Sequence, residues 1–156
     1  MNCEDDPRKI FRDRENEPTS FKFRLIHETF AAIINRQLKV EDMTFSQLIL
    51  ITYVWENRNN KVTQKDISKA LHIKHPTTIG LLKRLEEKEM LTVTVDPDNK
   101  KYRNIVLTPK GEQFVERNKE RKRYTDLTLT EGMTEEEIQT LRKLLDKVID
   151  NMQQQL

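Results

Sequence analysis

The chain has 156 residues, of which 35% are hydrophobic and 35% charged, and its net charge is +2. This length suits one domain or a compact core with an assembly element, and the modest apolar share predicts that some apolar surface is buried between chains. No run of about 18 apolar residues and no apolar signal segment occurs, which argues against a membrane span or secretion and makes a cytoplasmic location the expectation.

The charge is unevenly distributed. Residues 58–104 hold 11 Lys and Arg against 6 Asp and Glu, whereas the rest of the chain holds 17 against 20. A local positive surface is a better sign of nucleic-acid binding than the global charge, although lysines on helix surfaces are common.

The first third of the chain predicts an arm and two helices. Residues 1–20 contain two interrupting prolines and predict a flexible N-terminal arm. Residues 21–38 carry apolar side chains at helical spacing. A second helix is predicted to begin at Thr44, which forms a capping box with Gln47, and its nearly continuous apolar sequence places it at the centre of the core.

Two short helices joined by a tight turn are predicted next. Thr63 caps the first, with Asp66 in its first turn. Pro76 suits the first turn of the second, which is predicted to run to about Lys88. The expected buried positions are Ile67, Ala70 and Leu71 in the first helix and Thr78, Leu81, Leu82 and Leu85 in the second. This arrangement is the helix-turn-helix pattern.

A hairpin and two long helices complete the chain. The alternating stretches TVTV and YRNIVL flank the turn-forming DPDNKK and predict a β-hairpin. Thr108 is predicted to cap the next helix, and Thr134 forms a capping box with Glu137 at the last one. The last helix carries an apolar stripe of Ile138, Leu141, Leu144, Leu145, Val148, Ile149 and Met152. Such a stripe needs a partner surface, either the first helix of the same chain or a second copy.

The helix that begins near Pro76 has the size and polarity to enter the major groove of duplex DNA. Its outward face is expected to carry Pro76, Thr77, Gly80, Lys83, Arg84 and Glu87. The hydroxyls of Thr77 and Thr78 and the free first-turn amides, flanked by Lys74 and His75, are candidates to reach a base or a phosphate. The alternative is a solvated polar face on a core helix.

The hairpin adds a second cationic feature. Lys100, Lys101 and Arg103 cluster at or near its tip, and a cationic β-ribbon can lie along the phosphate backbone or enter the minor groove. Alternatively, these side chains only keep an exposed strand edge from pairing with other chains. A helix-turn-helix followed by a basic hairpin is more specific than either part alone.

Five segments, taken together, resemble the MarR family of bacterial winged-helix transcription regulators. In chain order they are MTFSQ, VTQKDISKAL, HPTTIGLLKRLEEKEML, LTPKG and EGMTEEEIQTLRKLL, and they run from about Met43 to the C-terminus. The resemblance implies a mainly α fold with a small β-hairpin wing. It implies a winged helix-turn-helix lobe at residues 43–108 and a helical dimerisation region formed by residues 21–42 and 109–156.

The resemblance further implies a sequence-specific repressor whose partner is double-stranded DNA with a pseudo-palindromic operator. The expected DNA-binding residues are Thr63, Gln64, Lys65, Lys74, His75, Pro76, Thr77, Thr78, Gly80, Lys83, Arg84, Lys100, Lys101 and Arg103. A different class of function stays open, namely a winged-helix module that binds a protein partner without specific DNA binding.

A homodimer and a small aromatic effector are also implied. The candidate dimer-interface residues are Phe23, Ile26, Phe30, Ile138, Leu141, Leu145, Val148 and Ile149, with an intrachain core as their alternative. His27, Tyr53 and Trp55 are candidates to line an effector pocket between the dimer base and the reading lobe; the alternative is that they are ordinary core aromatics.

Three parts of the chain depart from the family pattern. The family's Asp-x-Arg wing tip corresponds to Asn99 and Lys101, which replaces a planar cationic fork by a point charge. Ile79 and Gly80 stand in the reading helix where polar or basic side chains are frequent in the family. Glu89 occupies the helix end at which the family often has glycine.

Other chemistry is not predicted. The acidic neighbours of Cys3 disfavour its thiolate, which argues against redox sensing. The histidines His27, His72 and His75 do not form a metal-ligand pattern, and no nucleophile motif or phosphate-cradling glycine loop occurs. We therefore expect no bound metal, no cofactor and no enzymatic activity.

Overall fold

The computed structural model describes residues 17–96, 100 and 103–155, which form six α-helices and one two-stranded antiparallel sheet. In chain order the elements are α1 Thr19–Leu38, α2 Phe45–Glu56, α3 Gln64–Ala70, α4 His75–Glu87, β1 Leu91–Val95, β2 Arg103–Leu107, α5 Pro109–Leu129 and α6 Glu135–Gln153, with a 3-10 turn at Lys39–Glu41. The predicted mainly α fold with a β-hairpin is confirmed. The predictions on most of the N-terminal arm, Cys3, Asn99 and Lys101 lie outside the described residues.

Threonine side chains begin four of the helices. Thr44, Thr63 and Thr134 form capping boxes with the residue three positions on, and Thr108 accepts a hydrogen bond from the amide of Gly111. These predicted caps are confirmed. At α6, hydrogen bonds from the amide and hydroxyl of Thr134 lower the pKa of the Glu137 carboxyl.

Three helix ends turn through a left-handed residue that is not glycine, namely Asp42 (φ 52°), His72 (φ 50°) and Glu89 (φ 58°). After α4, the Met90 amide donates to the Leu85 carbonyl at 2.9 Å and the Glu89 amide donates to the Glu86 carbonyl at 2.8 Å. These bonds define a Schellman motif. Glu89 therefore closes the helix without glycine, at a cost of about 1 kcal/mol of backbone strain.

Helix α2 lies at the centre of the core, as predicted. Its Leu50, Ile51 and Val54 are buried, and α1, α3, α4, α5 and β2 pack around it. In α3, Ile67 is fully buried, whereas Ala70 is exposed. The prediction of a buried Ala70 is wrong because α3 is only two turns long and packs mainly through Ile67.

The hairpin pairs Leu91 with Leu107 and Val95 with Arg103, and both of its outer edges are bound to the helical lobe. On the β1 edge, the Val93 amide donates to the carboxylate of Glu86 in α4 at 3.0 Å. On the β2 edge, the Ile105 amide donates to the Val62 carbonyl at 3.3 Å. The wing base is therefore fixed to α4 on one edge and to the segment that precedes α3 on the other.

The LTPKG segment joins the hairpin to α5 and also touches the end of α4. The Thr108 hydroxyl donates to the Glu89 carbonyl at 2.6 Å, and its amide donates to the Met90 carbonyl at 3.1 Å. A Cβ on Gly111 would lie 2.0 Å from the Met90 carbonyl oxygen. Glycine is required here because the backbone of one segment lies directly against the other.

Helix α6 leaves its apolar stripe on the surface. None of its described residues is buried; Ile138, Leu141 and Val148 are half-buried, and Leu144, Leu145, Ile149 and Met152 are exposed. The alternative in which α6 packs on α1 of the same chain is not what the structure shows, since extensive packing between these two helices is absent among the described residues. No described helix is long and apolar enough to cross a bilayer.

Candidate nucleic-acid interface

Helix α4 has one buried and one exposed face. Thr78, Leu81, Leu82 and Leu85 are buried, as predicted. The Thr78 hydroxyl shares a hydrogen bond of 2.8 Å with the hydroxyl of Ser68 in α3. The prediction that Thr78 contacts DNA is therefore wrong: its side chain is 0% exposed and joins the two helices of the motif.

The opposite face of α4 is open. All of its predicted outward residues are exposed, namely Pro76, Thr77, Gly80, Lys83, Arg84 and Glu87, and so are Lys74 and His75 at its start. No side chain caps its N-terminus. Lys83 lies 3.9 Å from Glu87, a solvent-exposed pair that contributes little stability and leaves the cation available to a ligand.

Helix α3 contributes its first turn to the same region. The Thr63 hydroxyl donates to the Asp66 carboxylate at 2.6 Å and accepts from the Asp66 amide at 3.3 Å. Because the cap already uses this hydroxyl, Thr63 acts chiefly by fixing the helix start. Gln64 is half-buried and Lys65 is exposed beside it.

The hairpin brings its described cations to the surface. Lys100 and Arg103 are exposed, and Lys101 lies in the part of the chain that the structure does not describe. Two groups at the wing base were missed from the sequence. Glu86 accepts a hydrogen bond from the Val93 amide, and buried Asp96 pairs with Lys61. Local periodicity carries no signal for such contacts.

Several cations around α3, α4 and the wing have no ion pair with another described residue: Lys65, Lys69, Lys74, Arg84, Lys100 and Arg103. All of them are exposed. Elsewhere, Lys88, Lys110, Arg117 and Arg121 pair with carboxylates of the body. The unevenly distributed charge of the sequence thus appears as a cationic surface over the helix-turn-helix.

A cavity of about 380 Å³ lies between α1, α2 and α5. Tyr53 and Trp55 line it, as predicted, together with Phe30, Phe45, Leu48 and Val115. His27 is exposed and does not line this cavity, so its predicted place in the pocket is wrong. His27 lies on the same side of α1 as Phe30 and Ile34, which line the cavity, but it is about one turn nearer the N-terminus of the helix and therefore does not reach the cavity lining.

Two cationic side chains lie over the Trp55 ring in cation–π contacts. The guanidinium of Arg58 lies 4.0 Å from the ring centroid and the ammonium of Lys119 lies 3.9 Å from it. On the α5 side of the cavity, Arg121 donates to Glu41 and to Asn118, both at 2.9 Å. The cavity therefore combines apolar side chains with charged groups of both signs, namely Lys119, Arg121 and Lys122 together with Glu56 and Asp126.

The candidate dimer residues divide into two groups. Phe30 packs edge-on against Phe45, with ring centroids 5.5 Å apart, and belongs partly to the intrachain core. Ile26, Leu145 and Ile149 are exposed, and Phe23, Ile138, Leu141 and Val148 are half-buried.

No group of three or more metal-ligating side chains occurs among the described residues.

Two helices packed at a tight turn, an exposed reading helix and a hairpin bonded to its flank define a winged helix-turn-helix protein. Residues 41–101 match the model of the MarR family. The chain is therefore similar to the transcription regulators of this family, and its structural neighbours include regulators of the same fold.

Several individual proteins that this chain resembles are named as regulators. YybA of Bacillus subtilis strain 168, named as an uncharacterized HTH-type transcriptional regulator, is 25% identical over 130 residues, which cover 83% of this chain and 85% of YybA. Staphylococcus aureus MepR in a complex with DNA is 29% identical with a TM-score of 0.81, covering 87% of this chain and 99% of MepR. The regulator SlyA shares the fold, with a TM-score of 0.79 at 23% identity, over 87% of this chain and 94% of SlyA.

Proposed function

We propose that this chain is a DNA-binding transcription regulator that binds a pseudo-palindromic operator as a homodimer. The observation that carries the proposal is the exposed face of α4. It lies opposite the buried stripe, begins without a side-chain cap and contains Lys83 and Arg84. An α-helix of this kind fits the major groove of B-DNA, where Thr77 and Arg84 can meet base edges or phosphates.

The wing and α3 supply phosphate contacts in this proposal. Lys65, Lys74, Lys100 and Arg103 are exposed cations on elements that adjoin α4. Since Glu86 and Val62 fix the hairpin base, the wing keeps a constant position beside α4. The solved complex of MepR with DNA, a relative of the same architecture, supports this mode of binding.

A second copy of the chain is part of the proposal. The exposed apolar stripe of α6 and the exposed side chains of α1 give each copy a surface that a partner can cover. A two-fold axis through these helices would set two α4 helices about one DNA turn apart, so the operator half-sites would be about 10 bp apart. A dimer on an operator that overlaps a promoter excludes polymerase, and we therefore propose repression.

Salt titration of duplex binding tests the proposal. Binding through several Lys and Arg contacts to phosphate should weaken steeply with salt, with a slope of about 0.9 per phosphate contact. Lys74→Ala should flatten that slope by about one unit, whereas Lys147→Ala, on the opposite side of α6 from its stripe, should not change it. Salt-insensitive binding, or no binding to any duplex, would favour the protein-interaction module.

Release by a small aromatic effector is the second part of the proposal. The cavity between α1, α2 and α5 presents the aromatic side chains of Tyr53, Trp55 and Phe45, with Lys119 and Lys122 also in its lining. Because Trp55 is the only tryptophan of the chain, its fluorescence reports entry of a ligand. Benzoate and phenol should quench it and weaken operator binding at the same concentrations, since a ligand acts as a switch only if it binds the two states unequally.

Two results would separate the parts of the proposal. Quenching without any change in operator affinity would remove the effector role and leave DNA binding intact. Repression has its own measurement, because run-off transcription from a promoter that overlaps the selected operator should fall as the protein is added. An increase in transcript would make the protein an activator.

A further inference from the structure

Ile79 is an apolar side chain on the exposed side of α4. It is 44% exposed and is not among the residues that pack against the core. Its β-branched side chain is also a poorer helix former than alanine, so local helix stability does not call for it. Neither core packing nor helix propensity therefore accounts for an isoleucine at this position.

The helix places Ile79 toward the wing. Glu86 lies seven residues, or about two turns, further along and therefore on the same side of α4. Because Glu86 bonds the Val93 amide of β1, this flank is the one that borders the hairpin. Pro76, three residues before Ile79, is its neighbour on the helix surface and is also exposed.

The face of α4 is chemically divided along its length. Its second half exposes only charged side chains, Lys83, Arg84, Glu86 and Glu87, whereas its first half exposes Pro76, Ile79 and Gly80, with hydrogen-bonding side chains at His75 and Thr77. A Cβ on Gly80 would have no atom within 4 Å, so the centre of the face is open. The helix axis can therefore come close to a groove floor, which brings the flanking Ile79 within reach of base edges.

We infer that Ile79 reads thymine, through van der Waals contact with its C5-methyl group in the major groove. This methyl is the apolar group that base pairs display there, and aliphatic side chains contact it. The inference rests on the proposed function and adds a specificity-determining residue to it. The operator half-site then contains thymine where the N-terminal half of α4 enters the groove.

Uracil substitution tests the contact directly, because deoxyuridine differs from thymidine by the C5-methyl alone. The preferred operator is selected from a random duplex pool, each dT is replaced by dU in turn, and affinity is measured by fluorescence anisotropy at constant salt. At one or more positions in each half-site, the native protein should lose about fourfold in affinity, the effect of exposing one methyl group. Ile79→Ala should bind the dT and dU duplexes equally at those positions.

Val40→Ala is the matched control. Val40 is a β-branched residue that is 92% exposed and lies in the turn between α1 and α2, outside the reading helix, so its truncation should leave the dU profile unchanged. A preferred operator that is insensitive to dU at every position, or equally sensitive with Ile79→Ala, overturns the inference and leaves the proposed function standing. A pool that yields no preferred duplex overturns the proposed function, and this inference with it.

Discussion

Gly111 and Met90 meet where the hairpin returns to the helical body. The missing side chain of Gly111 admits the Met90 carbonyl, and the Thr108 hydroxyl bonds the neighbouring Glu89 carbonyl. Single residues thus determine how the end of α4 is joined to the start of α5. Two single substitutions, at Gly111 and at Glu89, should therefore change the free energy of unfolding in opposite directions.

Gly111→Ala should lower the free energy of unfolding by about 3 kcal/mol, because its Cβ would overlap a backbone oxygen that cannot move independently. Gly80→Ala is the matched control, since it adds the same methyl group to open space in α4 and should raise stability by about 0.5–1 kcal/mol. Urea denaturation followed by circular dichroism measures both. Equal effects of the two substitutions would contradict the predicted close approach.

Glu89→Gly should raise the free energy of unfolding by about 0.5–1 kcal/mol, because it removes the left-handed strain while keeping the backbone hydrogen bonds of the turn. Its exposed pair with Lys110, at 3.6 Å, contributes little to stability. Glu89→Ala keeps the strain and loses the same pair, so it should bring no gain. Thermal melts of the two variants side by side decide the matter, and a stabilised Glu89→Ala would refute the explanation.

The elements of the reading lobe are held by contacts between side chains and strand edges. Glu86 joins α4 to β1, Ser68 joins α3 to α4 through Thr78, and the carbonyl of Val62 covers the edge of β2. A two-stranded sheet is only marginally stable alone, so these bonds give the hairpin a defined place beside α4. The wing is therefore part of the reading lobe and not an independent ribbon.

Glu86→Ala should loosen the wing base without unfolding the lobe. The Val93 amide would lose its carboxylate acceptor, and its hydrogen exchange should accelerate by about three- to tenfold. Glu87→Ala removes a neighbouring carboxylate that faces outward and should leave Val93 unchanged. Amide exchange by NMR gives the readout, and an unaltered Val93 rate in Glu86→Ala would show that the bond does not hold the strand.

The molecule as a whole is a packed lobe from which α6 extends with little support. The core surrounds α2, whereas the stripe of α6 remains uncovered in the single chain. Apolar surface of this extent on a terminal helix favours association, because its burial removes side chains such as Leu145 and Ile149 from water. In the proposed dimer, the spacing of the two α4 helices would depend on this surface.

Leu145→Glu should convert the dimer to a monomer at micromolar concentrations, because it places a charge in the middle of the apolar stripe. Lys147→Glu, a larger change of charge on the opposite side of α6, should leave the dimer intact. Light scattering coupled to size exclusion measures the mass of both variants. A Leu145→Glu protein that stays dimeric would assign the interface to another surface.

The sequence by itself determined the elements and their order. Capping boxes, helical and alternating periodicity and the turn residues of the hairpin act over a few residues, so they can be read without a structure. The tertiary structure decided what depends on how elements meet. It buried Thr78, excluded His27 from the cavity, bonded Glu86 to β1 and placed the Met90 carbonyl against Gly111. These contacts join parts of the chain whose relative angles and distances come from packing, and no local pattern encodes them.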